Sequence, residues 1–232
     1  MSKKPQNHKQ NIVKLFQSFS PKYNIMEAFS DFSRIAAISL SNAIPACHSR
    51  ERERLYMQTV KKYRKEEVDI FVKILAELTF ALEHEMTDVL GEVFHILGLH
   101  NKWVGQFFTP QVICNFMGSI QTANMNEAIK EKGYFSVCEP ACGSGAMIIG
   151  MAYGMICSGY NPQKQLLAEC KDIDSRCVHM TYIQLSLLGI PAIITQGNGL
   201  TEEKISVWYT PFYVLNRWPL PERSKINISK AA

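Results

Sequence analysis

The chain has 232 residues, with 25 Lys+Arg against 21 Asp+Glu and a formal net charge of +4. Apolar residues make up 47% and charged residues 20%, the balance of a globular protein, which excludes a disordered or collagen-like chain. The longest nearly uninterrupted apolar run, Ala146 to Ile156, falls short of the roughly 20 residues a membrane span needs. No apolar segment follows the charged N-terminus, so neither a membrane partner nor a secretory signal is expected. The seven cysteines are odd in number and contain no Cys-x-x-Cys, which points to reduced, buried thiols in a cytoplasmic protein and to no bound metal.

Charge is unevenly placed. Residues 1–26 hold five lysines and no acid, and residues 50–67 hold seven Lys/Arg against four Glu. Either stretch could contact phosphates, but a mobile basic tail followed by a solvated helix with mixed charges is the preferred reading.

In chain order, residues 24–98 are patterned for helix. The clearest stretch is Glu66 to Leu97, where Ile70, Ile74, Leu78, Leu82, Met86, Leu90, Phe94 and their neighbours recur at three- and four-residue steps up to Gly98. Thr109-Pro110 is a helix start, with Thr as N-cap and Pro as the first helical residue. The apolar stripe Val112, Ile113, Phe116, Met117 and Ile120 follows it. β-like runs then fall at Tyr134–Cys138, Leu166–Cys170 and Ala192–Thr195, separated by helical stretches at Ala146–Cys157 and about Ser175–Leu188. Strand, helix, strand, helix, strand implies a parallel α/β sheet.

Chemistry concentrates in Cys138-Glu139-Pro140-Ala141-Cys142-Gly143-Ser144-Gly145-Ala146, between the first strand and its helix. A Gly-x-Gly turn there brings backbone close to a ligand and aims helix N-terminal amides at it. Glu139 can hold an ammonium or a hydroxyl. Asp172, at the tip of the second strand, is placed to accept from both hydroxyls of a ribose. Asn198, after the third strand, can read an adenine edge. A dinucleotide oxidoreductase would share this layout, but its fingerprint wants a small residue where Ile148 stands.

Gly105-Gln106-Phe107-Phe108-Thr109-Pro110, about thirty residues ahead of Glu139-Pro140-Ala141-Cys142-Gly143-Ser144-Gly145, resembles the N6-adenine DNA methyltransferases. The nearest likeness is to the modification subunit of type I restriction systems. It extends over roughly residues 66 to 200 and includes Asp88-Val89-Leu90-Gly91-Glu92-Val93. The resemblance implies an α/β, class I S-adenosylmethionine-dependent methyltransferase (Rossmann-like) sheet, shortened and preceded by a helical N-terminal region. The corresponding domains are residues 1–100, a basic tail and helical region, and 101–232, a truncated methyltransferase domain. It further implies S-adenosylmethionine as cofactor, held by Phe108, Thr109, Pro110, Glu139, Ala141, Gly143, Ser144, Gly145, Asp172 and Asn198, and DNA as partner in a restriction-modification setting.

The family's Asn/Asp-Pro-Pro-aromatic element, which holds a flipped adenine, has no counterpart, since the sequence contains no Pro-Pro. The nearest remnant is Ile205-Ser206-Val207-Trp208-Tyr209-Thr210-Pro211-Phe212, a strand ending in Thr-Pro-Phe. No catalytic residue is therefore assigned. The incomplete sheet is expected to leave an open edge near residues 205–215, covered by another element, a second copy or a partner subunit. Methyl transfer to adenine is the first expectation, and a non-catalytic cofactor- or DNA-binding regulator is the alternative.

Overall fold

The computed structural model describes residues 7–19, 21–99, 108–122, 125–201, 203–216 and 218. Its N-terminal half is helical: α1 (His8–Gln17), α2 (Ile25–Asn42), α3 (Arg50–Val60), α4 (Lys65–His84) and α5 (Val89–Ile96). Asn7, Asn24, Ser49 and Asp88 each accept a first-turn amide with their side chains and so set where four of these helices begin. The basic tail expected at the start is helical from His8 onward, and residues 1–6 lie outside the described residues. Lysines there mask an amphipathic turn pattern. Ile12, Val13 and Phe16 are buried, and Lys9 pairs with Glu92 of α5 at 2.6 Å. The single helix expected over residues 66–97 is two helices. Glu85 turns extended, and Asp88 opens α5 by accepting from the Gly91 amide.

The second half runs α6 (Gln111–Thr122), α7 (Met125–Lys132), β1 (Phe135–Glu139), α8 (Ala146–Cys157), α9 (Pro162–Gln165), β2 (Leu166–Asp172), α10 (Ser175–Leu187), β3 (Ala192–Gly197), β4 (Lys204–Tyr209) and α11 (Pro211–Leu215). The strands form one mixed sheet in the order β1-β2-β3-β4. The first three are parallel, with Val137 opposite Ala168 and Ala168 opposite Ala192, and β4 runs antiparallel to β3. The α/β expectation and the order strand, helix, strand, helix, strand are therefore met, and β4 adds an antiparallel strand.

Parallel strands are stable when helices bury their faces. One face of this sheet, through Ala168, Cys170, Ile194 and Trp208, is buried in the core with α8 and α10. Helix α10 is in turn covered by α2, so one hydrophobic core runs from Ile12 to Trp208 across residue 100. The opposite face is only partly covered. Ser136, Cys138 and Glu169 are exposed on it, while Tyr213 of α11 stacks on Tyr209. Of the seven cysteines, Cys114, Cys142, Cys170 and Cys177 are buried as expected, but Cys138 and Cys157 are exposed.

The two sheet edges differ. At β4, Arg52 of α3 donates to the Val207 carbonyl at 2.6 Å and lies 3.6 Å over the Trp208 ring, which blunts that edge. Arg52 is thereby withdrawn from the basic face of residues 50–67, as is Lys62, which donates to buried Asp31 at 3.0 Å. At β1, no described strand pairs along the outer side. Both β1 and β4 are therefore edge strands: the edge expected near residues 205–215 is there, met by Arg52 from another element of the chain, and a second open edge lies at β1.

Helix α6 packs by its small residues. Its apolar stripe faces solvent, with Val112 78% and Phe116 65% exposed, and its small face (Cys114, Gly118, Thr122) packs on α8. Gly118, Gly150 and Gly154 bring the two backbones into direct contact, and that closeness decides which side of α6 is inward. Among the described residues no helix is long and apolar enough to cross a membrane.

Buried His179 of α10 meets Trp208 edge-on at 5.2 Å and faces Arg34, Arg52 and Asp174. Burial, reinforced by the two arginines, pushes its pKa down to about 3 from the ordinary 6.5. The unfolded chain then binds the extra proton, so stability is full above 6.5 and falls as pH drops from there toward 3. At about pH 4.5 the loss from this residue is on the order of 3 kcal/mol. Urea unfolding of the wild type and of His179→Leu at about pH 7 and pH 4.5 checks this. The variant is expected to lose much less on acidification, and equal losses would remove His179 as the cause.

Candidate functional site

Because β1, β2 and β3 are parallel, Glu139, Asp172 and Asn198 come to the same end of the sheet, where a crevice forms in such folds. The segment after β1 is pinned to β2 there. Cys142 donates its amide to the Lys171 carbonyl at 2.9 Å, and Gly143 donates to the Asp172 carboxylate at 2.9 Å. Gly143 and Gly145 adopt φ of 54° and 94°, a left-handed backbone that favours glycine at both places. Thr181 of α10 donates to the Gly143 carbonyl at 2.8 Å. The turn is therefore preorganised, and α8 starts from it with its N-terminal amides directed outward.

Asp172 also accepts the Asp174 amide at 2.9 Å. Burial raises its pKa, against the pull of these backbone donors. Glu139 is half-buried, and its carboxylate accepts the Ala141 amide at 3.3 Å. Asn198 is adjacent: a Cβ at Gly199, the next residue, would lie 3.0 Å from the Pro140 carbonyl. Phe108 reaches the turn from the other side, with its ring 3.0 Å from where a Gly143 Cβ would be. Thr109 and Pro110 are exposed beside it, one residue ahead of α6, while Gly105, Gln106 and Phe107 lie outside the described residues.

Two assigned side chains, Ser144 and Asn198, and Thr210 of the unassigned remnant segment are engaged within the fold. Ser144 is 1% exposed, and its hydroxyl donates to Asp88, so its side chain is engaged inside the protein. The Asn198 carbonyl oxygen accepts the Leu200 amide at 2.9 Å and shapes the following turn. Thr210 is fully buried at the wrong end of the sheet. It donates to the Ile190 carbonyl and accepts the Ala192 amide, each at 2.8 Å, where β3 begins. The Thr-Pro-Phe sequence is accordingly a link from β4 to α11, and no remnant of a base-binding element.

Sequence reasoning missed Asp88 and Gln184, which lie behind the turn. Gln184 donates to both the Asp88 carboxylate and the Ser144 carbonyl at 2.8 Å, and it accepts the Leu90 amide at 3.0 Å. Burial raises the Asp88 pKa while its donors oppose the shift. Polar residues within an apolar helix pattern were the available signal, because a buried amide must find partners.

A cleft of about 420 Å³ opens beside Phe108, lined by Asp88, Gly91, Glu92, His95, Ile96, Phe108, Thr109, Pro110 and Gln111. The strand-end side chains do not line it. His95 holds the near wall by accepting the Phe108 amide at 3.2 Å. The donor set fits S-adenosylmethionine: carboxylates at two strand tips for an ammonium and a diol, and helix amides for a carboxylate.

Residues 85–217 match the family model described as N-6 DNA methylase. No curated protein shows a significant match to the chain. Among solved structures, a Listeria monocytogenes protein provisionally assigned to the class I S-adenosylmethionine-dependent methyltransferases is similar with a TM-score of 0.47 and 13% identity. The match covers 83% of this chain and 54% of that one, so the chain spans about half the length of that protein.

Proposed function

The chain belongs to the N-6 DNA methylase family, whose cofactor is S-adenosylmethionine, and from that premise we propose that it binds this cofactor at the carboxyl ends of β1, β2 and β3 and methylates adenine N6 in DNA. The observation that carries the binding reading is the Gly143–Gly145 turn, held between the Phe108 ring and the Asp172 carboxylate. Asp172 keeps lone pairs for the ribose hydroxyls beyond its two backbone donors. Glu139 takes the ammonium, and the backbone of Ala141, Gly143, Ser144 and Gly145 lines the methionine path. Phe108, Thr109 and Pro110 close its other side, and the Asn198 amide group lies toward the adenine.

When bound, the cofactor supplies a methyl group already activated on sulfonium, so the protein's task is to align an amine with it. No Asn/Asp-Pro-Pro-aromatic element is present to hold that amine. A parallel strand added along the open side of β1 would end beside Glu139, on the cofactor side of the sheet. We assign that edge to a partner subunit or a second copy that brings the acceptors for a flipped base.

Transfer of labelled methyl from S-adenosylmethionine to unmodified DNA tests the catalytic half. Label recovered as N6-methyladenine supports it. One observation favours the second reading, a cofactor- or DNA-binding regulator: Thr210 is committed to the fold at the end of the sheet remote from the turn. Cofactor binding without transfer, with DNA alone and with candidate partner subunits, would establish that reading instead.

A further inference from the structure

Four chain segments meet at Asp88. Its carboxylate accepts from the Gly91 amide and from Gln184, each at 2.8 Å, and from the Ser144 hydroxyl. Its own amide donates at 2.9 Å to the side chain of Gln111, the first residue of α6 and the neighbour of Pro110. One residue therefore touches α5, the start of α6, the Gly-Ser-Gly turn and α10.

Space is as restrictive as bonding. A Cβ at Gly91 would overlap the Asp88 carboxylate and lie 2.7 Å from the Ser144 hydroxyl, so α5 approaches the turn as closely as a backbone can. Asp88 is 3% exposed and Gln184 fully buried, and every described polar atom in the cluster is paired. A buried, fully satisfied network of this kind fixes one arrangement of its members, because any shift strands a polar group away from water.

We propose that Asp88 is a positioning residue that sets the Phe108-Thr109-Pro110 segment and the Gly143–Gly145 turn at one fixed separation, with Ser144 and Gln184 as its relays. The Phe108 ring meets the turn at Gly143 and α6 packs on α8 farther along, but Asp88 is where hydrogen bonds join the start of α6 to the turn itself. The inference rests on the cofactor reading for its consequence in binding, and on the geometry alone for its consequence in order.

The test uses the full chain as Asp88→Ala, Asp88→Asn, Gln111→Ala and Ser144→Ala, read by amide hydrogen exchange and by titration with S-adenosylmethionine. In Asp88→Ala, exchange at residues 142–147 is expected to quicken by about tenfold or more, while α2, β2 and β3 keep their protection; Gln111→Ala, which removes the acceptor of the Asp88 backbone amide, is expected to do the same at 111–114. Cofactor affinity should fall by about tenfold or more, and Asp88→Asn, which preserves the shape and an acceptor, should recover most of both. A folded Asp88→Ala with unchanged protection at 142–147 overturns the proposal, as does a uniform rise in exchange across the core, which marks a merely structural residue. If Asp88→Ala does not fold, Ser144→Ala decides on the same two readings, with selective loosening of 142–147 in support and no change against. A wild-type chain that binds no S-adenosylmethionine would defeat the cofactor reading and leave the exchange result to judge Asp88.

Discussion

Gly150→Ala is expected to destabilise the chain by about 3 kcal/mol, although alanine is the better helix former by about 1 kcal/mol. The added Cβ would run into the backbone carbonyl of Cys114 on α6 and sit 2.9 Å from the Asn115 amide. Backbone atoms in a packed helix cannot swing aside as a side chain can, so α6 and α8 must separate along their length. Gly118 and Gly154 lie in the same contact, and a Cβ on Gly154 would be 2.8 Å from the Gly118 carbonyl carbon. Since α8 begins at the Gly-Ser-Gly turn and α6 just after Pro110, the separation would also reach the crevice. Denaturant midpoints for wild type and Gly150→Ala give the comparison. A variant as stable as the parent would mean that the two helices do not cross this closely.

The second large effect concerns Asp172. Asp172→Ala is expected to weaken S-adenosylmethionine binding about 100-fold, close to 3 kcal/mol, by removing the ribose acceptor together with the anchor of the Gly143 amide. Stability should fall as well, by about 1–3 kcal/mol, because the Gly143 and Asp174 amides lose their acceptor. Asp172→Asn keeps one oxygen acceptor and should fall between the two in affinity. Calorimetric titration of the three proteins separates the cases. Equal affinities would place the ribose elsewhere.

Both effects show what the sequence made visible. The parallel unit was legible because glycines, apolar runs and strand-tip acids fall in a fixed order, and β1, α8, β2, α10 and β3 lie within a few residues of where that order puts them. Phe108 and the turn do meet, as the paired motifs implied. What stayed hidden depends on three-dimensional closeness. The inward side of α6 follows from Gly150 and Gly154 on another helix, while its own apolar stripe faces solvent. An exposed, uncharged stripe of that kind is normally a contact surface, as is the open side of β1.

The same holds for the polar network. Ser144 reads as a ligand contact in its motif, yet the hydroxyl turns inward because Asp88, 56 residues earlier, waits there as an acceptor. Thr210 reads as a base contact until its two bonds at the start of β3 place it at the remote end of the sheet. Antiparallel entry of β4 reverses the end at which its last residues arrive, and hydropathy carries no information about strand direction.

Titration of the wild-type chain with S-adenosylmethionine tests the cofactor crevice most directly. Saturable binding at a single site, weakened strongly by Asp172→Ala, is the expected result. No heat and no thermal stabilisation at millimolar cofactor, from a chain shown to be folded, would contradict it.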